Sequence, residues 1–197
     1  LLGYYIAEGW TTNICASKRI QLCLHKDEKD YIEDVKSCFK KCFSVEPYVE
    51  PPYNNAVKIT VNSILIWSVF NDVLKVSHYA KQKRIPEIVF NVSKELQREF
   101  LAGWHNGDLG STASPNLAND ISYLSLFDKN LVPFYDRDRT SSIDGRILNT
   151  HEYYTNFFRR DKTNNYPSMI PLEIFNPLNE TNNAFKINKR VSRNSLR

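Results

Sequence analysis

A chain of 197 residues, 42% hydrophobic and 13% aromatic, is long enough to bury one large core or two small ones. No apolar run reaches the length of a membrane span and no secretory leader pattern is present, so the expectation is an intracellular protein with no membrane partner. The net charge of +4 is modest, and its distribution says more than its sum. Five acids crowd Asp27 to Asp34, while the last fourteen residues hold Lys186, Lys189, Arg190, Arg193 and Arg197 with no acid. Cys15, Cys23, Cys38 and Cys42 show no zinc-finger spacing and are expected as buried free thiols.

Leu1-Leu-Gly-Tyr-Tyr-Ile-Ala-Glu8 opens the chain as a helix that Gly9 ends. Thr11 to Ser17 and Arg19 to His25 then read as two strands joined near Lys18. Tyr31, Val35, Cys38, Phe39 and Cys42 recur at helical spacing, which predicts a helix from about Lys26 to Phe43 with the acids of Asp27 to Asp34 on its solvated back. Strands follow over Pro47 to Pro52 and Ala56 to Val61, and Asn62 or Ser63 caps an apolar helix running to about Leu74.

Lys81-Gln-Lys-Arg-Ile-Pro-Glu-Ile-Val-Phe-Asn91 leads into Ser93, which is expected to cap a helix ending in Leu101-Ala-Gly-Trp-His-Asn-Gly-Asp108. Leu109 to Ser114 leaves room for one short strand or a minimal hairpin. Pro115 opens a helix carrying Leu117, Ile121, Leu124 and Leu126, and Val132 to Arg139 and Arg146 to Arg160 read as long strands around a turn at Asp144-Gly145. Ile170-Pro-Leu-Glu-Ile-Phe-Asn176 echoes Ile85 to Asn91. From Asn179 onward the composition is that of a basic tail.

The stretch ending at Asp108 repeats the one ending at Glu8. In both, small residues stand four apart (Gly3 and Ala7, Gly103 and Gly107) and an acid follows the second at once, the acids being 100 positions apart. That spacing puts the small residues on one helical face, so the two helices can pack with their backbones almost touching. Their acids then meet at the helix C-termini, where negative partial charge already gathers. Such a pair calls for a cation, and oxygen donors at helix ends suit Mg²⁺ or Ca²⁺ rather than a thiol-binding metal. A hard ion held by carboxylates is also what phosphodiester hydrolysis uses.

At these residues the sequence resembles the LAGLIDADG homing endonucleases in their two-motif, single-chain form, and the wording of the first copy is most similar to inteins of the DOD type. The resemblance implies an α+β fold: two αββαββα halves related by a pseudo-two-fold, with concave antiparallel sheets forming a saddle over DNA. The halves are expected at residues 1–92 and 93–178, followed by a basic tail over 179–197. The implied activity is metal-dependent, site-specific hydrolysis of both strands of a long double-stranded target by a monomer. Mg²⁺ is the implied cofactor, with Mn²⁺ or Ca²⁺ able to substitute in binding.

On the family pattern Glu8 and Asp108 bind the metal with the backbone oxygens of Ala7 and Gly107, and Lys83, just before Ile-Pro, polarises water or phosphate. In the second half Ser168 stands where the matching lysine belongs, and Leu109 replaces the closing glycine of the signature. The first departure points toward unequal strand cuts or nicking, and the second toward a shifted turn presenting Asp108 unless Gly110 serves one residue later; both weigh against full activity. Polar residues at outward strand positions are the expected DNA contacts: Asn13, Lys18, Arg19, Gln21, Lys58, Arg137, Arg139, Arg146, Asn149 and Arg159. His105 and Asn106 are expected to pack and to finish the helix.

Leu1 is no splicing nucleophile and the chain closes on Leu196-Arg197 rather than His-Asn, so the expectation is the nuclease portion of a larger parent chain. The alternative is a degenerate member of the family that binds DNA, or RNA as a maturase does, without cutting. A helix-packed domain with no nucleic-acid role is the third reading.

Overall fold

The computed structural model describes residues 1–14, 17–128, 130–143, 146–155 and 170–171. Its first half follows the order helix, two strands, helix, two strands, helix: α1 (Leu2–Glu8), β1 (Gly9–Ile14), β2 (Ser17–His25), α2 (Lys29–Phe43), β3 (Tyr48–Val49), β4 (Ala56–Asn62) and α3 (Ile64–Ser68), which a π turn over Val69–Val73 prolongs. The side chain of Ser63 accepts from the Ile66 amide and starts α3, as expected of a cap. A 3₁₀ turn (Ala80–Gln82) and α4 (Glu87–Phe90) connect to α5 (Lys94–Asp108).

The four strands form one antiparallel sheet in the order β1-β2-β4-β3. Alternation sorts its faces. Ile20, Leu22 and Leu24 of β2 and Val57, Ile59 and Val61 of β4 point into the core with Val35 and Phe39 of α2 and Phe70 beyond α3. Side chains of the other parity, Arg19, Gln21, Lys58 and Thr60 among them, form the opposite face.

The second half keeps the plan but not the proportions. After α5 come β5 (Ser111–Thr112), α6 (Pro115–Leu126), β6 (Asn130–Leu131), β7 (Tyr135–Ile143), β8 (Arg146–Tyr154) and β9 (Ile170–Pro171). The long first hairpin is reduced to β5, which pairs directly with β8, giving the order β5-β8-β7. Val132, expected in a strand, is instead fully buried beside α6, and the strand begins at Tyr135. The turn residues 144 and 145, the tail and most of the second Ile-Pro repeat lie outside the described residues.

The cysteines depart from expectation. Cys23 and Cys38 are half-buried and Cys42 is exposed, all as free thiols; Cys15 lies outside the described residues. Cys42 sits near the end of α2, beyond the buried stripe of Ile32, Val35 and Phe39. Among the described residues no helix is long and apolar enough to cross a membrane.

Candidate functional site

The two signature helices meet as their small residues require. A Cβ on Gly3 would fall 2.1 Å from the Phe100 carbonyl oxygen, and one on Gly107 would fall 2.4 Å from the Ala7 methyl and 3.2 Å from Cγ of Glu8. Backbone therefore lies on backbone, and Glu8 comes alongside the residue that precedes Asp108. Trp104 is fully buried on the same helix, and Asn106 donates to the Tyr4 hydroxyl at 3.2 Å, tying α5 to α1. The expected packing role of Asn106 is the one observed; His105 is half-buried in the same helix.

Both helices stop at their acid, by different means. Gly9 leaves α1 in an extended conformation, where any side chain would strike the Tyr5 ring. Leu109 ends α5 in the left-handed region at φ 49°, with its amide donating to the His105 carbonyl, and Gly110 continues at φ 86°. The missing glycine at position 109 therefore leaves the placement of the helix end intact and costs conformational energy instead, since a left-handed leucine is disfavoured by about 1–2 kcal/mol. Leu109 is 65% exposed and holds little packing. Leu109→Gly is expected to raise stability by about 1 kcal/mol in urea unfolding without altering the site.

Lys83 completes the centre. It is buried, 7% exposed, and its Nζ donates to the Ala7 carbonyl at 2.9 Å and lies 3.5 Å from that of Tyr5. The Tyr5 carbonyl already accepts from the Gly9 amide, so the ammonium group chiefly satisfies the Ala7 carbonyl at the negative end of the helix. One oxygen expected to serve a metal, that of Ala7, thus already accepts from Lys83, with a second lone pair remaining.

The connector carrying Lys83 is fixed from α6. Ser114 donates to the Lys83 carbonyl at 2.7 Å while capping α6 through the Leu117 amide, and Asp120 accepts from the Arg84 guanidinium (2.8 and 3.1 Å) and from the Ile85 amide at 3.1 Å. Sequence reading misses both residues, because nothing local marks a helix cap or a helix carboxylate as the anchor of a segment thirty residues away. Asp120→Ala is expected to cost about 2–3 kcal/mol in chemical denaturation, because it strands a buried amide and releases a paired guanidinium.

Burial controls the charge state of the centre. Desolvation pushes the Glu8 carboxyl up to about 7, opposed by the nearby Lys83 ammonium. Desolvation also raises Asp108, with the Glu8 charge adding to it, Lys83 opposing and the Glu152 carboxylate adding a little more. Desolvation lowers Lys83 while both carboxylates pull it back up. Two half-buried acids thus share one buried cation and remain short of positive charge.

The donor chemistry fits a hard divalent ion. Mg²⁺ characteristically takes one or two carboxylates and fills its remaining positions with water and substrate oxygen. Among the described residues no group of three or more His, Cys, Asp or Glu side chains is placed to hold a metal, so the carboxylate pair and the helix-end carbonyls are the donors on offer.

The expected DNA contacts divide. Arg19, Gln21 and Lys58 share the face turned away from the core. Arg19 is exposed, whereas Gln21 is buried and donates to Thr60, which in turn donates to Glu50, the ion-pair partner of Lys58 at 3.4 Å. Asn13 and Lys18 pair across β1 and β2 on the other face, and Lys18 lies 4.1 Å over the Trp67 ring of α3. A register that pairs Asn13 with Lys18 gives both the parity of Ile20 and Leu22; Lys18 is half-buried there, and Asn13 stays exposed.

In the second sheet Arg137 and Arg139 share a face with Glu152, while Asn149 accepts from Thr140 on the reverse face. Arg146 pairs with Ile143 at the ribbon end, and Arg159 and Ser168 lie outside the described residues. Glu152, unremarked in the sequence, is placed by the β7–β8 register, which sets it opposite Arg137.

No family model matches the chain. Among curated proteins it is 34% identical over 135 residues to an uncharacterised protein of Methanocaldococcus jannaschii, covering 66% of this chain and 15% of that one. It is 33% identical over 109 residues to the DNA polymerase II large subunit of Thermococcus kodakarensis, covering 55% and 6%. It is 31% identical over 127 residues to transcription initiation factor IIB of M. jannaschii, covering 64% and 17%. The chain thus spans less than a fifth of the length of these relatives. Among solved structures, I-DmoI in complex with DNA and Ca superposes with a TM-score of 0.50 at 12% identity, over 78% of each chain. The fold is that of a homing endonuclease. Within that fold the α1–α5 junction holds Glu8, Asp108 and Lys83, the residues that sequence reading singles out.

Proposed function

We propose that the chain is a site-specific DNA endonuclease that hydrolyses phosphodiester bonds of a long duplex with a divalent metal, and that it is the nuclease portion of an intein. One observation carries the first part: Glu8 and Asp108, both half-buried, stand at the ends of two helices in backbone contact, with the buried Lys83 as the counter-charge assigned to them among the described residues. A structural helix pair gains nothing from aligned, partly desolvated acids, since withdrawing charge from water is costly.

In this reading Glu8, Asp108 and the helix-end carbonyls of Ala7 and Gly107 hold Mg²⁺, which supplies Lewis acidity toward phosphate and a lowered pKa for bound water. The protein's own residues do the rest. Lys83, fixed by Ser114 and the Asp120 anchor, keeps positive charge beside the phosphate as oxyanion charge develops. The open sheet faces bearing Arg19, Lys58, Arg137 and Arg139 meet the duplex, whose major groove admits a two-stranded ribbon. Two halves, 1–92 and 93–178, and a basic tail remain the proposed organisation.

Support for the intein origin comes from the company of the matched stretch. Proteins as different as a polymerase subunit and a transcription initiation factor contain a related segment that makes up only 6% and 17% of their lengths. A segment common to otherwise unlike proteins is what a mobile insertion leaves behind.

The reduced β5 favours a second reading, a degenerate binder that grips DNA or RNA without cutting, because among the described residues one two-residue strand stands where the first sheet has the β1–β2 hairpin. Incubation with Mg²⁺ and the uninterrupted parent gene separates the two. Double-strand cuts or nicks at one site are expected; retention of that DNA with no cut would favour the binder, and no retention at low salt would overturn both.

A further inference from the structure

The ribbon of β7 and β8 pairs nine residues on each side, and from Asp136 to Thr140 and Ile147 to His151 its residues are exposed on both faces, apart from any core. Glu152 is the exception, only 8% exposed. Its Oε1 accepts from both Nε and Nη2 of Arg137, and its Oε2 lies 3.6 Å from Nη1 of Arg139. The guanidinium carbon of Arg137 sits 4.5 Å over the ring of Tyr154, two residues along the same face. Arg137 is thereby fixed along one edge and on one plane, yet its side chain remains 49% exposed. Glu152 engages Nε and Nη2, and among the described residues the Nη1 end is left for another acceptor.

A planar fork already held in place suits the fixed O6 and N7 of a guanine edge as well as a phosphate, and only at the guanine would that fixation set the sequence read. The first sheet offers the contrast. Lys58 and Glu50 lie 3.4 Å apart with side chains 40% and 36% exposed, a loose pair that a flexible ammonium leaves easily.

Resting on the DNA-endonuclease reading above, we propose that Glu152 and Tyr154 are positioning residues that make Arg137 the reader of a guanine in the target duplex and restrain Arg139 from indiscriminate phosphate binding. Glu152 touches neither DNA nor metal in this account. It acts through the two arginines.

The test uses the full chain and two probes in Ca²⁺: a randomised duplex pool from which bound sequences are selected, and one fixed duplex lacking the selected site, bound across a salt series. Wild-type protein is expected to select a site containing a guanine that Arg137→Lys no longer prefers. Glu152→Gln is expected to lose that same preference by about tenfold or more, to bind the fixed duplex more tightly, and to steepen its log–log salt dependence by about 0.9–1.8, one to two additional phosphates. Tyr154→Leu, which leaves the carboxylate in place, is expected to weaken the preference without changing the salt slope, and it keeps the test open if Glu152→Gln does not fold. Unchanged preference and slope in both variants would overturn the positioning role while leaving the nuclease reading intact. Failure of the wild-type protein to bind either probe would remove that reading and this one together.

Discussion

Asp108→Asn is expected to abolish cleavage and, in the same molecule, to make the metal-free protein more stable. Loss of one of two metal-binding carboxylates removes charge stabilisation at the phosphate and should lower the cleavage rate by about a thousandfold or more. The stability gain follows from the raised carboxyls. A carboxyl whose folded pKa lies above its unfolded value binds more protons when folded, so the folded state loses stability as pH rises from the unfolded value through the folded one. For Glu8 that window runs from 4.5 to about 7, and Asp108 is raised in the same direction by burial and by Glu8.

At pH 8, with Glu8 raised to about 7 and Asp108 to about 8, the wild-type centre carries the Glu8 charge and part of the Asp108 charge at a cost that the Asn variant avoids, a difference of about 1–3 kcal/mol. The difference should shrink toward pH 4 and vanish only below about pH 3, under the unfolded values of 3.8 and 4.5, where both states are protonated. Thermal melts of the two proteins between pH 4 and pH 8, without metal, check the sign. Millimolar Mg²⁺ should narrow the gap by stabilising only the wild type. A variant that cuts as well as wild type, or one destabilised at pH 8, would contradict the assignment of Asp108.

Gly3→Val is expected to prevent the two signature helices from docking at all. Its Cβ alone would lie 2.1 Å from the Phe100 carbonyl oxygen and 2.6 Å from the Trp104 amide nitrogen, both backbone atoms that no rotamer change can move. Relief requires separating α1 from α5, which uncovers Trp104, Leu101 and Ile6 and parts the carboxylates. Overpacking usually costs 1–3 kcal/mol where side chains can give way; with backbone on both sides about 4 kcal/mol or more is expected, a large part of a typical domain's stability. Circular dichroism and urea unfolding would register this as a molten or unfolded chain. Gly103→Ala is the milder control, since a Cβ there meets its nearest atoms at 3.3 and 3.4 Å and should be tolerated at modest cost.

The sequence made the centre legible because its constraints are local and repeated. Close helix approach demands small residues four apart, and the acid after the second one must then lie at the helix end, so Gly3, Ala7, Gly103, Gly107, Glu8 and Asp108 could be read without coordinates. Lys83 was legible through its Ile-Pro context, although its docking on the Ala7 carbonyl was not. Strand identity was equally readable, because Ile20, Leu22, Leu24 and Val57, Ile59, Val61 alternate cleanly.

What coordinates add depends on distant pairing. Lys18 looks outward in an isolated strand, but the β1–β2 register sets it over the Trp67 ring, while Asn13 shares its parity and stays exposed. Val132 looks like strand and is claimed by the hydrophobic face of α6. The left-handed Leu109 shows a helix end set by tertiary packing against the residue's own preference, which no propensity scale foresees. Asp120, Ser114 and Glu152 act across thirty residues or across a hairpin, and only coordinates bring their partners together.

The account stands on one centre in which both acids serve the same divalent metal. Calorimetric titration of the DNA-free protein with Mn²⁺ at pH 8 tests it most directly, on the wild type and on Glu8→Gln and Asp108→Asn in parallel. The prediction is a measurable binding heat in the wild type, with proton release that grows as pH is lowered toward 7, and loss of that binding in each single variant. Wild-type affinity retained by either variant would contradict a shared centre.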